Sequence, residues 1–233
     1  MKFLLTNDDG VEARGLQALA DAVDGLGEVV VVAPSAGVSG CSHSVTTERP
    51  FRVAELGPGR WAVEGTPTDC VRVALHRFSP QVEWVLAGIN SGGNLGVDVY
   101  HSGTVAAVRE AALRGLPAIA VSHYRNRVLT EADWKRAAEW TKPVLAELLR
   151  RPRTPGVFWN INLPSLEPGA GPPGIVFCPL DPSPLPLSFE VQEDLLHYNG
   201  RYASRPRRAG SDVDVCFSGK IAATQVSVME TSR

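Results

Sequence analysis

Short apolar runs alternate with segments of helical periodicity along the first two thirds of the chain. Residues 2–6 form an apolar run that ends at a polar turn, and residues 29–33 form a continuous run rich in β-branched side chains. Between them, the apolar positions of residues 15–26 repeat with helical spacing. A strand, a helix and a second strand within about thirty residues are typical of a parallel sheet. Because the second run does not alternate with polar residues, we expect its strand to be covered on both faces.

The same pattern returns further along the chain. The predicted elements are a strand at 84–87, a helix at 104–114, a strand at 118–121, a helix at 131–150 and a strand at 157–161. Together they predict an α/β fold, with a Rossmann-like, mostly parallel sheet and helices on both of its faces.

Two segments depart from this alternation. Residues 51–53 and 61–63 flank a short turn with glycine and proline, which predicts a hairpin insertion. Prolines and glycines crowd residues 168–186, so we expect the α/β core to span residues 1–164. Residues 165–233 are predicted to be a strand-bearing C-terminal extension used for oligomerisation, either within the same domain or as an appendage.

Composition narrows the possible partners. The chain has 233 residues, of which 44% are hydrophobic and 21% charged, and its formal net charge is −2. This charge gives no general attraction to a nucleic-acid polymer, and no apolar run is long enough for a signal-peptide core or a membrane span. We therefore predict a cytoplasmic protein without a nucleic-acid or membrane partner. The wide spacing of the cysteines favours reduced thiols over a disulfide framework or a zinc site; they are Cys41, Cys70, Cys178 and Cys216.

The first motif that could carry chemistry is the acidic turn Asn7-Asp8-Asp9-Gly10, directly after the first predicted strand. In open parallel sheets, ligands bind beyond the carboxyl ends of the strands. Two adjacent carboxylates repel each other, and a divalent cation would relieve that repulsion. Oxygen ligands favour magnesium, manganese or calcium over zinc. Taken alone, the motif is equally compatible with an ordinary turn that caps a helix.

The loop at residues 34–46 follows the second predicted strand and should emerge at the same sheet edge. It supplies several hydroxyl groups, including that of Ser39, and two glycines that let backbone amides approach a ligand closely. A long loop inside a compact domain is more often functional than merely flexible. The sequence leaves open whether His43 in this loop takes part in catalysis.

A Gly-rich loop at residues 88–96 follows the third strand run and can bend around an anion. The next segment, residues 101–105, opens a helix for which Ser102 fits the N-cap position. The free amides and the dipole of a first helical turn favour a phosphate group, with a structural turn as the alternative. The loop is neither a Walker A sequence nor a dinucleotide-binding G-x-G-x-x-G sequence.

Three loops are thus expected to bring carboxylates, amides and hydroxyls to one edge of the sheet. An anion site beside a divalent-cation site is typical of phosphoryl chemistry. A fourth motif, Gly65-Thr66-Pro67-Thr68-Asp69, is interpreted as structural, with Thr68 or Asp69 capping the helix that follows.

In combination, these motifs closely resemble the SurE family of stationary-phase survival proteins, which are metal-dependent 5′(3′)-nucleotidases. The matching stretches are LLTNDDGV, VVAPSAGVSG, GTPTDCV, GINSGGNLGVDVYHSGTVAA and NINLP, and they follow the family's order within the first 164 residues. Five ordered matches are far more specific than NDDG alone. The family usually has proline where Arg14 and Gln225 stand, and the C-terminal third matches poorly.

The resemblance implies the ligands of the site. One divalent cation per subunit, Mg²⁺ or Mn²⁺ (or Ca²⁺ in a crystal), would be held by Asp8, Asp9, Ser39 and Asn90. The phosphate pocket would be formed by Asn94, Ser102, Gly103 and Thr104. The resemblance also implies an exchanged C-terminal hairpin and assembly into a homodimer or homotetramer.

The resulting hypothesis is hydrolysis of a nucleoside monophosphate to nucleoside and phosphate. Asp8 and Asp9 would be the catalytic residues, since one of them would also assist deprotonation of the attacking water. One alternative is a broader phosphatase for small phosphoesters or short-chain polyphosphate. Another is a non-catalytic nucleotide-binding or phospho-acceptor sensor, although the strand that leads to Asn90 ends without an aspartate to accept phosphate.

Overall fold

The computed structural model describes residues 1–228 of the chain; residues 229–233, the end of the predicted extension, lie outside the described residues. The strands are β1 (Lys2–Thr6), β2 (Glu28–Pro34), β3 (Val53–Gly57), β4 (Arg60–Val63), β5 (Trp84–Ser91), β6 (Ala118–His123), β7 (Val157–Leu163), β8 (Ile175–Phe177), β9 (Phe189–Gln192), β10 (Leu195–Tyr198) and β11 (Ile221–Ser227). The α-helices are α1 (Arg14–Val23), α2 (Pro67–Val73), α3 (Gly103–Leu113), α4 (Glu131–Leu148) and α5 (Asp212–Phe217). A π-helix (Ala74–Phe78) continues α2, and a 3₁₀-helix (Gly96–Tyr100) precedes α3.

A nine-stranded sheet forms the centre of the protein, with the strand order β3-β4-β2-β1-β5-β6-β7-β11-β8. Neighbouring strands from β4 to β7 are parallel. Two pairs are antiparallel, β3 with β4 and β11 with β7. The predicted mostly parallel α/β sheet is therefore confirmed, and the predicted hairpin is the β3–β4 pair that extends one edge of it.

Helices cover both faces of the sheet, as predicted. Helices α1 and α4 pack on one face, and α2 and α3 pack on the other. Alternate residues of β2 enter the two apolar clusters, with Val31 in the first and Val32 in the second. This double coverage explains why the sequence of β2 is apolar without alternation. Among the described helices, none is long and apolar enough to cross a membrane.

The C-terminal segment returns to the central sheet. Strand β11 pairs with β7 on one side and with β8 on the other. Strands β9 and β10 form a separate antiparallel hairpin whose apolar side chains, such as Phe189 and Leu196, are exposed. Use of this segment for oligomerisation, and a boundary at residue 164, remain predictions.

The order of the central strands determines where loops converge. The chain passes from β1 to β2 on one side, and β5 later pairs with β1 on the other side. The direction of winding therefore reverses at β1. In open α/β sheets, such a switch point opens a crevice beyond the carboxyl ends of the two strands. The acidic turn follows β1, and Asn90 lies at the end of β5, so both lie at this crevice.

Helix α2 begins two or three residues earlier than a cap at Thr68 or Asp69 requires, because the N-cap is Thr66. The Thr66 hydroxyl accepts a hydrogen bond from the Asp69 amide at 3.2 Å, and the Asp69 carboxylate accepts one from the Thr66 amide at 3.0 Å. Pro67 follows the cap, where a missing amide proton does no harm and the fixed φ suits a first helical turn. The predicted cap was therefore wrong, and the reciprocal pair is a capping box.

Candidate active site

The acidic turn lies largely inside the protein. Asp8 has 5% of its surface exposed, while Asp9 is half-buried. Burial raises the pKa of both carboxyls above the usual value, and the proximity of Asp9 raises that of Asp8 further. Two adjacent carboxylates in a poorly solvated turn create a site where a cation would be bound favourably.

The loop after β2 packs directly on this turn. The Val38 amide donates a hydrogen bond to the Asp8 carbonyl at 2.8 Å. Ser39 comes next; it is exposed, and its side chain makes no hydrogen bond with the described residues. The far end of the loop is anchored to α2, because the amide and hydroxyl of Thr46 donate to the Asp69 carboxylate at 3.0 and 2.7 Å. Ser39 thus lies beside the acidic turn, and its hydroxyl group forms no hydrogen bond with the described residues.

His43 contacts helix α3 through its imidazole ring. Its Nε2 atom lies 3.1 Å from the Oε2 atom of Glu110, a buried residue on α3. The Arg114 side chain donates to the other oxygen of the same carboxylate, at 2.8 Å from Nε. The imidazole therefore ties the loop to α3, and it forms no hydrogen bond or ion pair with the predicted metal or phosphate ligands, all of which are among the described residues.

Strand β5 places Asn90 at the crevice. Its Nδ2 group donates to the Gly92 carbonyl at 3.0 Å, which orients the amide and leaves the Oδ1 atom without a partner. The next residue, Ser91, uses its backbone amide to donate to the Asp9 carboxylate at 3.3 Å. The end of β5 thus holds Asp9 and presents an amide oxygen at the same edge.

Asn94, in the Gly-rich loop, is buried and is fixed by residues to which the sequence patterns assign no role. Its backbone amide donates to Asn162 Oδ1 at 2.8 Å, and its carbonyl accepts from the Nδ2 groups of Asn160 and Asn162 at 2.8 and 3.0 Å. Its side-chain Nδ2 donates to the Ser122 hydroxyl at 2.8 Å. The NINLP motif contains both asparagines, so the motif signalled them, but only the structure shows what they hold.

The N-terminus of α3 meets the acidic turn directly. Ser102 is the N-cap, as predicted, and its hydroxyl oxygen accepts from the Val105 amide at 3.0 Å. The Thr104 hydroxyl donates a short hydrogen bond to the Asp8 carboxylate. Gly103 lies so close that a Cβ atom there would be 2.9 Å from both Asp8 Cβ and Cys41 Sγ. Only glycine lets the first turn of α3 come this near to Asp8.

These donors fit a hard divalent cation. The predicted set of Asp8, Asp9, Ser39 and Asn90 offers two carboxylates, a hydroxyl and an amide oxygen, all of which are oxygen ligands. Within residues 1–228, no group of three or more His, Cys, Asp or Glu side chains forms an alternative centre.

Comparison with known proteins places this arrangement in a family. A family model described as Survival protein SurE matches residues 3–180. One relative, from Nostoc sp. (strain PCC 7120), has a name that describes it provisionally as a 5′-nucleotidase. It is 52% identical to this chain over 228 residues, which is 98% of this chain and 100% of the relative. A protein named 5′-nucleotidase SurE, from Syntrophotalea carbinolica, is 44% identical over 166 residues, or 71% of this chain and 66% of the relative.

A solved structure shares the whole fold. The crystal structure of the SurE protein from Aquifex aeolicus superposes with a TM-score of 0.86 at 27% identity, covering 100% of this chain and 95% of that one. The agreement includes the C-terminal segment, beyond the residues that the family model matches. From its motifs, its fold and these matches, the chain belongs to the SurE family of survival proteins.

Proposed function

We propose that this protein is a divalent-metal-dependent nucleotidase that hydrolyses nucleoside monophosphates to nucleoside and phosphate. The contact that carries the proposal is the hydrogen bond from Thr104, in the first turn of α3, to the carboxylate of Asp8. It joins a helix N-terminus suited to a phosphate group with an acidic turn suited to a cation. Relatives named 5′-nucleotidase SurE support the substrate class.

Asp8, Asp9, Ser39 and Asn90 would hold the cation, which is Mg²⁺ or Mn²⁺ in this proposal. When bound, the cation supplies positive charge that offsets the charge developing on the phosphate oxygens. The hydrogen bonds that orient Asn90 and Asp9 both lie at the carboxyl end of β5, so these oxygen ligands are held before any cation arrives.

The phosphate would bind between the Gly-rich loop and α3. The first amides of a helix, here those of Gly103 and Thr104, are not used by the helix itself and point outward at its N-terminus. The Ser102 hydroxyl accepts from Val105, so its own proton is free to reach a phosphate oxygen. Asn94 would complete the pocket, held by its bonds to Ser122 and Asn162. Such preorganised donors stabilise the transition state because they need not reorient during the reaction.

A water molecule is the nucleophile in this proposal, and Asp9 accepts its proton. Asp8 is less suited to this role, since it is more deeply buried and its Oδ1 atom accepts from Thr104. Asp9 keeps Oδ1 without a hydrogen bond, because Ser91 donates to Oδ2.

The test is a matrix of metals and substrates on the purified protein. Phosphate release from nucleoside 5′- and 3′-monophosphates should disappear in excess chelator and return with Mg²⁺ or Mn²⁺. Asp9→Ala should abolish this activity, while Asp24→Ala, which removes an exposed carboxylate at the end of α1, should not. Phosphate release that persists in excess chelator, or full activity of Asp9→Ala with Mg²⁺ or Mn²⁺ present, would refute the proposal.

The same matrix separates the alternative activities. Equal turnover of nucleotides, simple phosphoesters and short polyphosphate would indicate the broader phosphatase. Nucleotide binding without turnover, with metal present, would indicate a sensor. Assembly into a homodimer or homotetramer and a cytoplasmic location are further parts of the proposal, and light scattering of the purified protein tests the first of them.

A further inference from the structure

Arg125 lies at the active-site edge of the sheet, two residues beyond the end of β6. Strand β6 pairs with β5 so that Ser91 lies opposite His123, which brings the segment after β6 beside the end of β5. The Arg125 Nε group donates to the Ser91 carbonyl at 3.2 Å. The Ser91 amide in turn donates to the Asp9 carboxylate at 3.3 Å. A single residue therefore joins Arg125 to one of the predicted metal ligands.

The remaining donors of this guanidinium are uncommitted. Arg125 is exposed, and apart from its bond to Ser91 it forms no hydrogen bond or ion pair with the described residues. Its neighbours differ in this respect, because Arg127 and Arg136 both bind the Asp133 carboxylate, each at 2.6 Å. The tether through Nε fixes the position of the guanidinium while both Nη groups stay free for a ligand.

Arg125 places a positive charge near the acidic turn. Its guanidinium is linked to the Asp9 carboxylate through the backbone of Ser91, so it lies near that carboxylate without pairing with it. Asp8 and Asp9 together offset the charge of one divalent cation. A phosphate monoester then brings up to two further negative charges, and the partial charge of a helix N-terminus compensates only about half of one. The site needs another positive group when substrate is bound.

We propose that Arg125 contacts the substrate, with its Nη groups bound to a non-bridging oxygen of the phosphate. It approaches from the β6 side, while the first turn of α3 approaches from the side of Asp8. A guanidinium suits this role because its planar array of donors matches the oxygens of a phosphate group. In phosphoryl transfer, charge spreads over these oxygens in the transition state, where an arginine lowers the barrier. This inference rests on the proposed phosphatase function.

The experiment compares Arg125→Gln and Arg125→Lys with Arg150→Gln. Arg150 is an exposed arginine that pairs with Glu147 at the end of α4, so it controls for loss of a surface charge. The binding of inorganic phosphate is measured by calorimetry at saturating Mn²⁺, and kcat/KM is measured with a nucleoside monophosphate. The Mn²⁺ concentration for half-maximal activity is recorded for each variant.

Arg125→Gln should weaken phosphate binding and lower kcat/KM by about 10- to 100-fold each, the effect expected for a lost hydrogen bond between charged groups. The Mn²⁺ requirement should stay unchanged, Arg125→Lys should fall between, and Arg150→Gln should match wild type. Unchanged phosphate binding in Arg125→Gln would overturn the inference, and a raised Mn²⁺ requirement alone would show that Arg125 acts only through Asp9. If wild type binds phosphate without hydrolysing any ester, the proposed function fails, while weaker phosphate binding by Arg125→Gln would still support the contact.

Discussion

The hydrogen bonds around Asn94 make a quantitative prediction about two asparagines of β7. Asn160 and Asn162 are both fully buried, lie two residues apart on one face of the strand, and both contact the backbone of Asn94. They differ in which backbone group of Asn94 loses its hydrogen-bond partner when the asparagine is replaced. Without Asn160, the Asn94 carbonyl still accepts from Asn162; without Asn162, the Asn94 amide loses the acceptor that it has at 2.8 Å.

Replacing each asparagine with leucine therefore has unequal costs. Asn160→Leu removes one of two bonds to the same carbonyl and also removes an Oδ1 atom that has no partner, so we expect a loss of about 0–1 kcal/mol. Asn162→Leu removes a similar bond and leaves a buried amide unsatisfied, which costs about 2–4 kcal/mol in total. The difference of about 2 kcal/mol corresponds to a gap of about 4–8 °C in Tm for a chain of this size.

Urea unfolding in excess chelator, followed by circular dichroism, measures both free energies without stabilisation by bound metal. The kcat/KM of Asn162→Leu should also fall further, because Asn94 is the proposed phosphate contact. The same order should hold for Asn160→Ala and Asn162→Ala, which excludes overpacking by leucine as the cause. If Asn160→Leu lowered the free energy of unfolding as much as Asn162→Leu, the unsatisfied backbone amide of Asn94 would not explain the cost of Asn162→Leu, and this prediction would be refuted.

Three further predictions test the contacts of the acidic turn and the C-terminal segment. Gly103→Ala should lower kcat/KM by about 10- to 100-fold with little change in helix content, because the added Cβ would lie 2.9 Å from Asp8 and Cys41 side-chain atoms; wild-type kinetics would contradict this. Thr104→Val should lower the free energy of unfolding in chelator by about 1.5–3 kcal/mol through loss of its bond to Asp8, and Thr104→Ser should cost less; equal losses would point to packing instead. For Asp181, burial alone would raise the pKa, but hydrogen bonds from neighbouring hydroxyl and amide groups lower it to about 2. Because this pKa lies below the ordinary 3.8, the stabilisation is present above about pH 4 and is lost toward pH 2. The stability gap between wild type and Asp181→Asn in urea should narrow over that range, and a constant gap would contradict the assignment.

Much of the fold could be predicted from local sequence patterns. Examples are the apolar runs of β1 and β2 and the helical spacing of apolar residues in α1. Each pattern reflects which positions of one element are buried, so it can be recognised from residues that are close together in the sequence. The N-cap at Ser102 was predictable for the same reason, since a cap involves residues only three positions apart. The α2 cap was predicted wrongly because several adjacent residues had suitable side chains, and Pro67 decided between them.

The placement of the C-terminal segment could not be predicted in this way. Strand β11 enters the sheet between β7 and β8, although its sequence gives no indication of its partners. Pairing of distant strands depends on which edge of the sheet is free after the rest has folded. A local pattern carries no information about that edge.

For the site, the sequence by itself determined which groups are available: the acidic pair, the hydroxyl loop, the Gly-rich loop and a helix N-terminus. The tertiary structure decided how they are connected. Asp8 meets Thr104 across 96 positions of the chain, Asn94 is held by Asn162 across 68, and Arg125 reaches the site through Ser91 across 34. The physical reason is the winding reversal at β1, which opens one crevice at the ends of β1 and β5 and gathers loops that are remote in sequence.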